Sequence, residues 1–322
     1  MTTGIELRST LDQVTPPADT GFSVLPVPGA ASFRIGRGTD GAIALLTPAD
    51  PAPEPPTRLK HLALDPRLRC RIEGEDGAVV EDDYGVIQFY ADDETLAQPF
   101  LDVAAAVIRL LGESPAAGDV SIAMRRLVRL FDRTDPARGS VLGLWAELLL
   151  IDRSSDPIGM VDAWHTYVDA RFDFASPGSR LEVKATTRDV RAHMFSLPQL
   201  EPVEGTEVWV ASVVTTETSL GTSLGELVQR VEKLLDGDGA RQMKIHEQVA
   251  TILGPDWVRH VDRRFDETQA QGSLGILPAD KIPRVAPPPP EVIDVRLIVD
   301  CTNVEPVSDP TGLAALIGTE AG

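Results

Sequence analysis

Cysteine is scarce: the 322 residues contain two, Cys70 and Cys301. A pair so far apart suggests neither a metal knuckle nor a disulfide framework. Also missing is any apolar run near the ~20 residues needed to span a bilayer, so no membrane is expected among the partners. The opening Met1-Thr2-Thr3-Gly4-Ile5-Glu6 lacks the basic and apolar regions of a secretory signal. A reduced, cytoplasmic protein is the expectation. Basic charge is short as well, with 30 Lys and Arg against 49 Asp and Glu and a formal net charge of -19. That balance argues against loose, sequence-independent adhesion to nucleic acid or an anionic membrane, while leaving room for a local basic groove. Arg125, Arg126, Arg129 and Arg133 form one basic cluster, which reads equally as a solvated helix face or a DNA-facing one.

What is present divides the chain by period. The first hundred residues read as short strands punctuated by Gly, Asp and Pro, with candidates at 33–35, 42–46, 70–72 and 84–90. Pro51-Ala52-Pro53-Glu54-Pro55-Pro56 is a stiff connector. Residues 1–97 are therefore expected to be a β-rich N-terminal accessory domain. From Pro99 the period turns helical: Phe100, Val103, Ala104, Val107, Ile108 and Leu111 share a face, and Gly112 stops it. Further helices are expected over 121–131 and 141–151. Ser223-Leu224-Gly225-Glu226 is a capping box opening a helix to about Leu235. Helix continues to about Leu253, and a strand is expected over 292–299. Residues 98–240 are assigned to a helical lead-in with the core, and 241–322 to a C-terminal extension.

Two neighbouring segments carry the chemistry. In 168–174, Val168, Ala170, Phe172 and Phe174 alternate with Asp169, Arg171 and Asp173; in 180–186, Leu181, Val183 and Ala185 alternate with Arg180, Glu182, Lys184 and Thr186. Both are period-2 strands, and Ser176-Pro177-Gly178-Ser179 between them is turn chemistry. An antiparallel hairpin follows. The register pairing Phe174 with Leu181 and Phe172 with Val183 sets Asp173 opposite Glu182, with Lys184 on the same face. Opposed Cβ atoms lie roughly 4.5–5.5 Å apart and like charges there repel, so removing either carboxylate should relieve strain unless a divalent cation sits between them. Oxygen-only ligands suit Mg²⁺ or Mn²⁺, and a lysine two residues past a ligand can orient water or offset charge in a transition state.

Arg171-Phe172-Asp173-Phe174 followed by Leu181-Glu182-Val183-Lys184 resembles the PD-(D/E)XK signature of restriction-like nucleases, with Phe172 replacing the family's proline. Gly143-Leu144-Trp145-Ala146-Glu147-Leu148-Leu149, Glu182-Val183-Lys184-Ala185-Thr186-Thr187 and His193-Met194-Phe195-Ser196-Leu197-Pro198-Gln199-Leu200 resemble a bacterial family of PD-(D/E)XK motif proteins over residues 140–216. The resemblance implies an α/β, restriction endonuclease-like core in αβββαβ order, its mixed sheet flanked by helices. The 141–151 helix, the hairpin, a third strand at 191–195, a short helix from Ser196 and a buried strand at 207–214 would supply it.

The resemblance also extends the site. Glu147, the one charged residue in an apolar helix, matches a glutamate that often joins the metal cluster; its other reading is an acid pointing outward. Gln199 matches a glutamine near the active site and reads equally as the N3 partner of a Ser196 cap. His193 could touch phosphate or be structural, Arg188 and Arg191 could contact a nucleic-acid backbone, and Trp145 and Trp164 read as core. Expected catalytic residues are thus Asp173, Glu182, Lys184, Glu147 and Gln199, with Asp173, Glu182 and Glu147 holding Mg²⁺ or Mn²⁺. The implied function is hydrolysis of DNA phosphodiesters in restriction or phage defence, the family often being met in phage-defence gene neighbourhoods. The alternative is a catalytically weak binding or scaffolding subunit of a defence complex. DNA is the expected partner, with other defence-system proteins and a second copy of the chain as further candidates.

Overall fold

The computed structural model describes residues 2–18, 20–50, 55–73, 79–90, 96–116, 118–132, 137–166 and 170–307. They form a mixed α/β fold in two compact units, each built from separated stretches of chain: Met1–Pro136 with Gly237–Arg259, and Ala137–Asp236 with His260–Gly322.

The first unit centres on a six-stranded antiparallel sheet. Its strands are β1 (Phe22–Val27), β2 (Ala30–Gly38), β3 (Ile43–Pro48), β4 (Thr57–Arg58), β5 (Leu62–Glu73) and β6 (Val79–Phe89), in the order β1-β2-β3-β6-β5-β4. Alternation gives the sheet two unlike faces. Leu45 and Ile87, register partners, are fully buried on one, while Ala44, Leu46 and Val86 make a smaller cluster with Phe22, Val24 and Tyr84 on the other. Helices α1 (Gly4–Leu11), α2 (Ala97–Leu111), α3 (Asp119–Phe131) and α7 (Gly239–Leu253) belong to this unit. Phe89 stacks on Phe100 of α2 at 4.5 Å between centroids, and Phe131 joins them to Trp257. The helices of 98–136, expected to lead into the core, and α7 therefore pack here. Their apolar faces complete the sheet's core, which is a property of the partner and not of their own periodicity. In the arginine cluster, Arg126 donates twice to Glu247 of α7, at 2.6 and 2.9 Å. Residues 51–54 of the proline connector and Arg133 lie outside the described residues.

The second unit holds α4 (Val141–Arg153), α5 (Pro157–Ala163), β7 (Phe174–Ser176), β8 (Ser179–Thr186), β9 (Ala192–Ser196), β10 (Glu207–Val214), β11 (Glu217–Ser223), α6 (Leu224–Leu234), β12 (Arg264–Phe265), α8 (Glu267–Ser273), β13 (Gly275–Pro278) and β14 (Arg296–Asp300). Its mixed sheet runs β13-β10-β8-β7: β7 is antiparallel to β8, β8 parallel to β10, and β10 antiparallel to β13. Trp145 of α4 is fully buried against Phe265 and donates to the Thr222 carbonyl.

Four expectations change, one being that the strand expected over 292–299 begins only at Arg296. The strand expected over 168–174 is strand only from Phe174; residues 171–173 form a bend, and 167–169 lie outside the described residues. β9 does not enter the mixed sheet as its third strand but pairs through all five residues with β14, from Arg296↔Ser196 to Asp300↔Ala192. That partner lies about a hundred residues downstream, beyond the reach of local pattern. The helix expected from Ser196 is a single 3-10 turn, Leu197–Leu200. It stops because Glu201 precedes Pro202 and is driven to extended backbone, φ -82 and ψ 144.

Candidate metal centre

The hairpin has the register its faces demand. Phe174 pairs with Leu181, Ala175 with Arg180 and Ser176 with Ser179, closed by Pro177 and by Gly178 at φ +80, a type II pattern that glycine adopts without cost. Asp173 stands one residue before the strand. Its Oδ2 accepts the Val183 amide at 2.7 Å, so a side chain takes the place the ladder would otherwise give to a carbonyl. Glu182 sits in the middle of β8, flanked by β7 and the parallel β10, and is 3% exposed. Strands covered on both sides bury even their polar residues.

Glu182 is held asymmetrically. Lys184 donates to its Oε1 at 2.6 Å, which places the lysine on the same strand face. Gln199 Nε2 donates to the same Oε1, while the amide oxygen of Gln199 accepts the Ser196 N–H at 2.9 Å. One side chain does both: it caps the turn and braces the Glu182 carboxylate. Glu182 Oε2 is buried without a hydrogen-bond partner.

Glu147, on α4, is 7% exposed and points inward. Its Oε2 accepts Trp164 Nε1 at 2.7 Å and lies 2.8 Å from Nε2 of His165. His165 Nε2 is also 3.9 Å from Asp173 Oδ1. One ligand atom each from Glu147, His165 and Asp173 fall within 4.8 Å of one another. His165 escaped the sequence reading. The one usable signal was Asp156-Pro157, an N-cap followed by proline at the first helical position, which predicts α5 and hence a turn ahead of Asp173.

Burial and neighbouring negative charge both disfavour an ionised carboxylate. Burial, then the charges of Glu182 and Glu147, push Asp173 well above the usual carboxylate range. Burial raises Glu182 too, offset by Lys184. A buried carboxylate oxygen lacking any partner costs free energy. A divalent cation would cancel the repulsion between these carboxylates: Glu147 and Asp173 offer the hard oxygens it prefers, His165 lies within ligand reach of both, and Glu182 is beside them. The residues fit such an ion.

Other candidates lie elsewhere. His193 is 3% exposed with Nε2 2.7 Å from the Ser212 hydroxyl, and burial lowers its pKa from 6.5 to about 4. Arg191 donates to the carbonyl and hydroxyl of Ser212 at 2.9 and 2.8 Å and to the Ser273 carbonyl, which makes it a brace and not a free basic contact. Arg171 donates to the Glu201 carbonyl and covers the Phe172 ring. Arg188 is exposed on the loop after β8.

No curated protein and no solved structure matches the chain. A family model does, and it extends well beyond the 140–216 stretch on either side. Described as "Putative PD-(D/E)XK family member, (DUF4420)", it matches residues 10–302, most of the chain, and the protein belongs to that family.

Proposed function

We propose that this protein is a divalent-metal-dependent nuclease that hydrolyses DNA phosphodiester bonds in restriction or phage defence. The observation that carries the reading is Glu182: a buried carboxylate with one oxygen braced by Lys184 and Gln199 and the other without a partner, set among Asp173 and Glu147. Those three carboxylates are the residues to hold Mg²⁺ or Mn²⁺. When bound, the ion polarises a phosphoryl oxygen and makes water a better nucleophile near neutral pH. Lys184, hydrogen-bonded to Glu182 Oε1, is placed to orient the attacking water or to offset charge gathering on the phosphate. Gln199 fixes the rotamer of Glu182 through the Ser196 amide, and Trp164 does the same for Glu147. The test is nicking of supercoiled plasmid with Mg²⁺ or Mn²⁺. Cleavage should vanish with chelator, with Ca²⁺ alone and in Glu182→Gln; cleavage that survives chelator sinks the metal mechanism.

The net charge of -19 favours a second reading, a nuclease-fold subunit that binds partner proteins and cleaves weakly or not at all. Absence of nicking by purified wild-type protein that still binds the cation selects it.

A further inference from the structure

Three observations converge on His165, which neither the signature nor the family description includes. The first is position. Its Nε2 lies 2.8 Å from Glu147 Oε2 and 3.9 Å from Asp173 Oδ1, so the imidazole faces two of the three carboxylates of the proposed metal centre. The second is backbone. His165 has φ +40, the one positive φ at a non-glycine among the described residues. A β-carbon in that region costs roughly 1–2 kcal/mol, and the conformation is held by the His165 N–H donating to the Asp173 carbonyl at 2.8 Å and by the Trp164↔Phe174 bridge. The strained turn thus delivers the ring beside Asp173 and fixes it there. The third is Glu182 Oε2, buried without a hydrogen-bond partner on the residue next to Val183, whose amide the Asp173 side chain caps.

Resting on the metal-dependent reading above, we propose that His165 is itself a ligand of the cation, adding a nitrogen to the oxygens of Glu147 and Asp173 and biasing the site toward Mn²⁺ over Mg²⁺. The reason is ligand softness and hydration. Both ions favour oxygen, but Mg²⁺ gives up its waters reluctantly and demands near-ideal octahedral oxygen geometry, whereas Mn²⁺ tolerates an imidazole in its shell more readily. A site that replaces one oxygen by Nε2 loses more for Mg²⁺ than for Mn²⁺. A purely structural His165, hydrogen-bonded to Glu147 and no more, would leave the preference of an all-oxygen site.

His165→Asn separates these cases, because asparagine tolerates positive φ and removes the imidazole without disturbing the turn. The full chain is loaded with Mn²⁺ and read by pulsed electron paramagnetic resonance for coupling to ¹⁴N, and Mn²⁺ and Mg²⁺ affinities are measured by calorimetry. Wild type should show nitrogen coupling. The variant should lose it, bind Mn²⁺ about tenfold or more weakly, the scale of a damaged metal shell, and bind Mg²⁺ with an affinity changed far less. Mn²⁺ bound to wild type without nitrogen coupling, or with coupling that persists in His165→Asn, overturns the ligand role while the carboxylate centre stands. No Mn²⁺ binding at all overturns the metal centre and the nuclease reading with it.

Discussion

Without a cation, Asp173 does two things at once: its Oδ2 caps the Val183 amide while its charge sits against Glu182 and Glu147. Its proton affinity is higher in the folded chain than in the unfolded one, so folding takes up a proton there. The stability this confers is complete below the unfolded carboxylate pKa and is lost as pH rises through the folded one. Asp173→Asn keeps an acceptor and drops the charge. In chelator it should melt with wild type in mild acid and above it at neutral pH, the gap widening with pH; a gap that shrinks as pH rises contradicts the buried charge. Asp173→Ala behaves differently, since it strands the Val183 N–H at a cost of about 1–3 kcal/mol. At Asp173, relief of strain is therefore expected of the amide and not of alanine. Lys184→Ala should lose plasmid nicking and, by unpairing buried Glu182, lower the metal-free melting temperature. Mn²⁺ should restore the melting temperature and not the cleavage.

Elements bring these residues together, and they differ in how openly the sequence declares them. The β7–β8 register, the apolar run of β10 and the capping box of α6 follow from alternation and cap chemistry, which act over a few residues. Alternation put Glu182 and Lys184 on one face of β8, where they lie, but it also put Asp173 in a strand where the chain bends. His165 was not legible, because its place depends on a positive φ after a seven-residue helix, and no side-chain pattern encodes that. The partner of β9 was equally hidden, since β14 pairs with it from a hundred residues away. His193 of β9 is tied to Ser212 of β10, and here the sign reverses. A buried base with its pKa lowered to about 4 contributes stability that is complete above 6.5 and is lost as pH falls toward 4. His193→Gln should flatten that acid limb in thermal melts; an unchanged limb would place the loss elsewhere. At the hairpin's turn, Gly178→Ala forces a β-carbon into φ +80 and should cost roughly 1–2 kcal/mol in denaturant titration.

At the scale of the whole molecule, composition suggests cuts near residues 97 and 240, whereas the compact units are Met1–Pro136 with Gly237–Arg259 and Ala137–Asp236 with His260–Gly322. A fragment of residues 98–240 would carry α2 and α3 without the sheet that buries their apolar faces, and the mixed sheet without β13 or the β14 that covers Phe195. It should be largely unfolded by circular dichroism and bind no Mn²⁺, whereas the full chain folds. A cooperative, metal-binding fragment would show that the mixed sheet does not need β13 or β14 to fold.

The same division has a consequence for inheritance. The chain leaves the first unit after Pro136, returns at Gly237 and leaves again after Arg259. One crossover between two related genes can therefore never exchange one unit and leave the other whole, because replacing the first unit alone requires breakpoints at all three crossings. Lineages should pass the two units on together, and a hybrid joined at any one point inherits a core whose halves come from different parents.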